Sequence, residues 1–209
     1  MIDLDAEELF HLAMKASEEG DRDKTITYLK RSIALQPQAK SIYILAAEYA
    51  ELGMMQRAIE GMQRAVELEP TLWTAHFQLG LLFLSQSLIQ EAKNAWEPLI
   101  ELGPEAYLYH FAVGCMQLID EKTEDALESF AIGVNMNDDN PALNRDIGNI
   151  VNSVLGSEQA GEKRPEAAAE QMNGTAESEF DEMERAEDTA AGGKRHLLLS
   201  KYGESGKLS

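Results

Sequence analysis

The sequence predicts an all-α fold: a solenoid of about four helix-turn-helix units plus a capping helix, followed by a largely disordered tail. Three observations carry this prediction. First, Ala46, Gly80, Gly114 and Gly148 recur every 34 residues, and so do Ala58, Ala92 and Ala126, and Met62, Trp96 and Phe130. Ala13, Thr25 and Leu29 anticipate these columns at a spacing of 33. A fixed period of this size is the mark of a repeat architecture. Second, each unit divides into two stretches with apolar residues at helical spacing, such as 73–86 and 89–102. Third, breaks fall where such hairpins need them. Gly20 and Gly53 stop the first helices of the first two units, and Ser85-Gln86-Ser87 separates the two helices of the third. Pro37, Pro70 and Pro104 end the second helices.

Taken in order, the units span 6–38, 39–72, 73–106 and 107–140, and a lone helix runs from Pro141 to Leu155. The small columns let two backbones approach closely, while Trp96 or Phe130 fills the layer beside them. Thr25 stands where its column otherwise carries alanine, Gly133 lies late in a helix, and Pro98 predicts a kink in the second helix of unit three. The lone helix presents Asn144, Arg145, Asn149 and Asn152 among Ile147, Ile150 and Val151, as a terminal helix with a wet outer face does.

Small residues at the eighth and twentieth positions of a 34-residue helix-turn-helix, with proline near its end, are the pattern that residues 6–155 resemble in the tetratricopeptide repeat family. The resemblance implies a right-handed superhelix whose first helices line a concave, partner-binding face. Its groove positions carry over to Phe10 and Met14 in unit one, and to Tyr43 and Ala47 in unit two. Phe77, Leu81 and Leu84 follow in unit three, Phe111, Cys115 and Leu118 in unit four, and Arg145 and Asn149 on the last helix. Some members hold a terminal carboxylate through Lys, Arg and Asn in this groove. Here those slots hold Phe10, Met14, Ile44, Thr74 and Gln78, so that mode is not expected. The apolar set suits a hydrophobic peptide or an amphipathic helix. In a tight superhelix, the same set would instead pack on itself across units.

The chain has 209 residues and a net charge of -19, which disfavours nucleic acid and anionic lipid as partners. The acidity is uneven. Residues 1–155 carry 11 basic and 25 acidic side chains, residues 156–193 carry 3 and 11, and residues 194–209 reverse the balance with 4 and 1. The chain therefore divides into a repeat body (1–155), an acidic flexible linker (156–193) and a basic-hydrophobic C-terminal segment (194–209). Between Leu155 and Leu197 the only large apolar residues are Met172, Phe180 and Met183. Arg195, Leu197, Leu198, Leu199 and Tyr202 then cluster, reading either as a docking segment or as an unstructured terminus.

No phosphate-cradling glycine loop, nucleophile elbow or paired-histidine metal motif is present. His76 and His110 share a column, but adjacent hairpins hold them roughly 10 Å apart, too far to share one ion. Neither catalysis nor a cofactor or metal is expected. Cys115 excludes an internal disulfide, and the acidic start without an apolar run predicts neither a secretory leader nor membrane insertion. The expectation is a cytoplasmic, non-enzymatic adaptor for a protein or peptide with an apolar segment. A chaperone for hydrophobic secreted proteins, or a regulatory subunit recruiting an enzyme through its tail, are the alternatives. Self-association through the tail or unit four is a further use of the same surfaces.

Overall fold

The computed structural model of the chain describes residues 4–162, and every regular element among them is helical. Four hairpins follow one another: α1 (Ala6–Glu18) with α2 (Arg22–Leu35), α3 (Ala39–Glu51) with α4 (Met55–Leu68), α5 (Trp73–Ser85) with α6 (Ile89–Ile100), and α7 (Tyr107–Ile119) with α8 (Thr123–Met136). A last helix, α9, spans Pro141–Glu162. The first helices start at 6, 39, 73, 107 and 141, the starts read from the repeat columns.

Local chemistry explains the boundaries. Asp5 caps α1 reciprocally with Glu8: its carboxylate accepts from Glu8 N at 2.8 Å, and Glu8 Oε2 accepts from Asp5 N at 2.9 Å. Asp21 caps α2 by accepting from Lys24 N at 3.1 Å. Each hairpin turn needs one residue with left-handed backbone, supplied by Gly20 (φ 76°), Gly53 (φ 72°), Ser87 (φ 61°) and Glu121 (φ 60°). The next residue in that column is Leu155, whose branched side chain disfavours the conformation, and there the chain does not turn. Instead α9 continues to Glu162, seven residues past the end read from the sequence. In the third hairpin, α6 runs through Pro98 and closes two residues later at Ile100. The Glu101 N to Glu97 O bond there is stretched to 3.4 Å.

Each helix packs on its neighbours in sequence, and α5 additionally touches α7. Inside the hairpins the small columns do what their spacing implies. A β-carbon at Gly80 would overlap the Trp96 indole, and one at Gly114 would overlap the Phe130 ring. Trp96 and Phe130 are buried completely or nearly so, each burial contributing on the order of 3 kcal/mol. Thr25 is also fully buried in its alanine column, because its hydroxyl donates to Asp21 O at 2.9 Å.

The junction before α9 is held by a set of asparagines. Asn137 Nδ2 donates to Asn140 O (2.9 Å) and to Asn144 Oδ1 (2.8 Å), and Asn140 Oδ1 accepts from Leu143 N at 3.2 Å. Asn137 and Asn140 are buried, so this closed polar knot fixes the angle at which α9 leaves α8.

Candidate functional site

The inner surface is narrow, and this decides which predicted groove residues face a partner. Phe77 on α5 and Phe111 on α7 lie with ring centroids 5.9 Å apart, and both are fully buried. Trp96 stacks on Phe77 at 6.3 Å and donates its Nε1–H to Phe77 O at 2.9 Å, while Tyr107 meets Phe111 edge-on at 5.6 Å. Tyr43, Ala47, Met14 and Cys115 are buried as well. For these six residues the groove expectation is corrected. In the second half, α5 and α7 approach so closely that Phe77 and Phe111 fill the gap between them, which is the packing a tight superhelix imposes. Burial pushes the Cys115 thiol up to about 12, which makes it a packing group without thiolate chemistry at neutral pH.

Phe10, Leu81, Leu84 and Leu118 remain half-buried, and Arg145 and Asn149 are exposed. Of these, Leu81 and Asn149 come together. Leu81 on α5 faces Asp146, Asn149, Ile150, Ser153 and Val154 of α9 across a cleft of about 380 Å³. Phe10, Leu84, Leu118 and Arg145 do not line it. The cleft exists because α9 crosses the inner face opposite α5. Leu143 and Ile147 anchor it in the core, and the less buried Ile150 and Val154 form its wall.

One polar group is built into this wall. Asp146 is only 5 % exposed, and its pKa is pushed up to about 7 by burial, with Glu51 of α3 adding to the rise and Arg145 opposing it. Near neutrality its carboxyl therefore holds a proton, and can donate a hydrogen bond, far more readily than an exposed aspartate. Close by, Arg22 of α2 bonds Glu48 Oε2 through Nε at 2.9 Å and Glu51 Oε2 through its second amino group. Burial raises the pKa of Glu48, and Arg22 counteracts that rise. Oxygen Oε1 of Glu51 is buried with no hydrogen-bond partner among the described residues. The inner end of α3 and the middle of α9 thus bring two acidic groups toward one another beside an apolar cleft.

Sequence reasoning passed over Asp146, Ile150, Ser153 and Val154. A signal was present: Asp146 sits in the apolar stripe Leu143, Ile147, Ile150, Val154, where a carboxylate is out of place. A second cleft of about 350 Å³ lies at the edge where the inter-unit loops meet, lined by Trp73, Tyr107, Leu102, Leu108 and Asp139 among others. The histidine column has a structural use. His76 Nε2–H donates to Pro70 O at 3.0 Å and His110 Nε2–H to Pro104 O at 2.9 Å, each closing the loop that precedes its own helix. Among the described residues, no group of three or more His, Cys, Asp or Glu side chains could hold a metal ion. None of the described helices is long and apolar enough to cross a membrane. Arg195, Leu197, Leu198, Leu199 and Tyr202 lie outside the described residues.

No protein-family model matches the sequence, and no curated protein matches it. Solved structures do resemble the fold. The crystal structure of MamA superposes with a TM-score of 0.53 at 24% identity, covering 63% of this chain and 77% of that one. MamA from Desulfovibrio magneticus RS-1, from residue 41 to its end, gives 0.53 at 17% identity over 78% of this chain and 92% of that one. YrrB, a TPR protein with an unusual peptide-binding site, gives 0.51 at 19% identity over 64% and 70%. With its hairpin columns, its neighbour-on-neighbour packing and these superpositions together, the chain has the tetratricopeptide-repeat fold.

Proposed function

We propose that the chain is a non-enzymatic adaptor that binds an apolar peptide segment or one face of an amphipathic helix on the inner surface of its solenoid. The observation that carries this reading is the cleft between Leu81 and α9. It is predominantly apolar, is held open between two fixed helices, and has a single buried carboxyl in its wall. Burying an apolar side chain there is worth roughly 25 cal/mol per Å². Asp146 would orient the ligand by donating to or accepting from one polar group near its centre. YrrB, which shares the fold, has a peptide-binding site, and that supports the same use of the scaffold. The lone buried thiol suits a reducing compartment, the cytoplasm.

The test is a panel of apolar and amphipathic peptides titrated against the full chain. Leu81→Asp and Val154→Asp, both at half-buried positions, are expected to weaken the binding peptides at least tenfold. Lys40→Asp, an exposed change on α3, serves as the control. Peptides that bind all three variants alike would place the site elsewhere.

A further inference from the structure

The most instructive unpartnered surface is on the other side of α9. In the third and fourth hairpins, the glycine of the first helix receives a large side chain from the second: Gly80 receives Trp96, and Gly114 receives Phe130. Gly148 is the next glycine of that column, yet a β-carbon built there meets nothing within 4 Å among the described residues. At about 100° per residue, Gly148 lies roughly 160° round α9 from Ile150, so this face is separate from the inner cleft. Its flanks are the half-buried Val151 and the exposed Leu155. Beside them lies the exposed Arg145. In short, α9 stands where the first helix of a fifth hairpin would stand, and no second helix of its own packs on it among the described residues.

The chain beyond Glu162 carries a fitting sequence. Every second helix has an alanine or threonine four residues before its large buried residue: Thr25 and Leu29, Ala58 and Met62, Ala92 and Trp96, Ala126 and Phe130. All eight of these side chains are at most 1% exposed. Ala176 and Phe180 repeat the pair, with Met183 at the next helical step. The segment around them, with Glu177, Glu179, Asp181 and Glu184, is acidic and complements Arg145. We propose that residues 176–190 dock on the Gly148 face of α9, with Phe180 seated over Gly148 as Trp96 is over Gly80.

The distances agree. From Gly148 to the end of α9 is about 21 Å at 1.5 Å per residue. The chain from residue 163 to Phe180 must return over that length and step about 9 Å sideways, the usual helix separation. Eighteen residues reach up to about 60 Å when extended, so the return is well within range. Ala168 and Met172 form a similar pair, but the glycines of this column receive an aromatic ring, Trp96 or Phe130, and methionine serves where the column carries Ala46.

Hydrogen exchange on the full chain tests the assignment. Amides 178–188 should be protected at least tenfold over unstructured rates, and either Gly148→Leu or Phe180→Ala should remove that protection. In the Gly148→Leu variant the amides of α9 should keep their own protection, since an added β-carbon meets no described residue within 4 Å and leucine favours helix. Four results would overturn the proposal: unprotected 178–188 in the parent chain, protection that survives both substitutions, protection confined to 165–173, or protection that appears only as light scattering registers a doubled mass.

Discussion

The first two hairpins and the second two share one backbone plan and are held together by different chemistry. In the amino-terminal half, Arg22 ties α2 to Glu48 and Glu51 of α3, Ser32 Oγ donates to Ala6 O at 2.7 Å, and small or flexible side chains such as Ala46 and Met62 fill the layers. In the carboxy-terminal half, Phe77, Trp96, Tyr107 and Phe111 form a connected aromatic stack, and Phe130 closes the last layer against Gly114. The contrast shows that a repeat column conserves the volume of a pair rather than the identity of a residue. Alanine goes with methionine, and glycine with tryptophan or phenylalanine. The turns differ in the same direction: the first half uses glycine at positive φ, whereas the second forces Ser87 and Glu121 into it.

The largest expected effect breaks the aromatic half. Trp96→Ala removes a fully buried side chain and its bond to Phe77 O, and should cost about 4 kcal/mol, read from urea unfolding. Met62→Ala, the same column in the first half, should cost about 1 kcal/mol less, because flexible neighbours close around the smaller void. Equal losses would show that the two halves respond alike.

Next in size is a link from α9 back to the first half, the charge of Glu51 of α3 acting on buried Asp146. The folded pKa of Asp146, about 7, lies above its ordinary value of 3.8, so the folded state binds the proton more tightly. Its contribution is complete below about pH 4 and is lost as the pH rises through 7. Asp146→Asn should therefore gain on the parent chain by an amount on the order of 2 kcal/mol between pH 4 and pH 8, seen in paired urea titrations. A difference between the two proteins that does not change with pH would remove the argument.

The smallest effect sharpens the comparison of turns. Ser87→Gly and Glu121→Gly should each raise stability by up to about 1 kcal/mol, and Gly20→Ala and Gly53→Ala should lower it by a similar amount. Thermal unfolding midpoints check both signs.

Much of this fold is legible in the sequence because repeats test one another. Five helix starts, the hairpin turns and the small columns can each be read from three or four copies, and a position that misleads in one unit is corrected by the next. The end of α9 was missed because it depends on a turn that fails to form, and a single leucine in a column of Gly, Gly, Ser and Glu is a faint sign. The candidate site was legible only in part. Column position says which helix face a residue occupies but not how tightly successive units wind. Winding is what buries Phe77, Phe111 and Cys115 while leaving Leu81 at a cleft. Asp146 escaped notice for a related reason: the resemblance concerns repeat positions, and the terminal helix has no second copy to be compared with.

The packing of each helix against its neighbours in sequence has a kinetic consequence. Most of the contacts that stabilise the solenoid close short loops, so the entropy lost before the first favourable contact is small. Folding should be fast, and either hairpin cluster is able to nucleate it. Among the described residues, the ends are held mainly by the helices next to them in sequence. Opening should begin at α1 and α9 and travel inward, with the aromatic stack of α5 and α7 the last part to exchange its amides. In such a one-dimensional array, a partner seated between Leu81 and α9 would act as a brake on unzipping from the carboxy-terminal end, and its binding would register as slower unfolding.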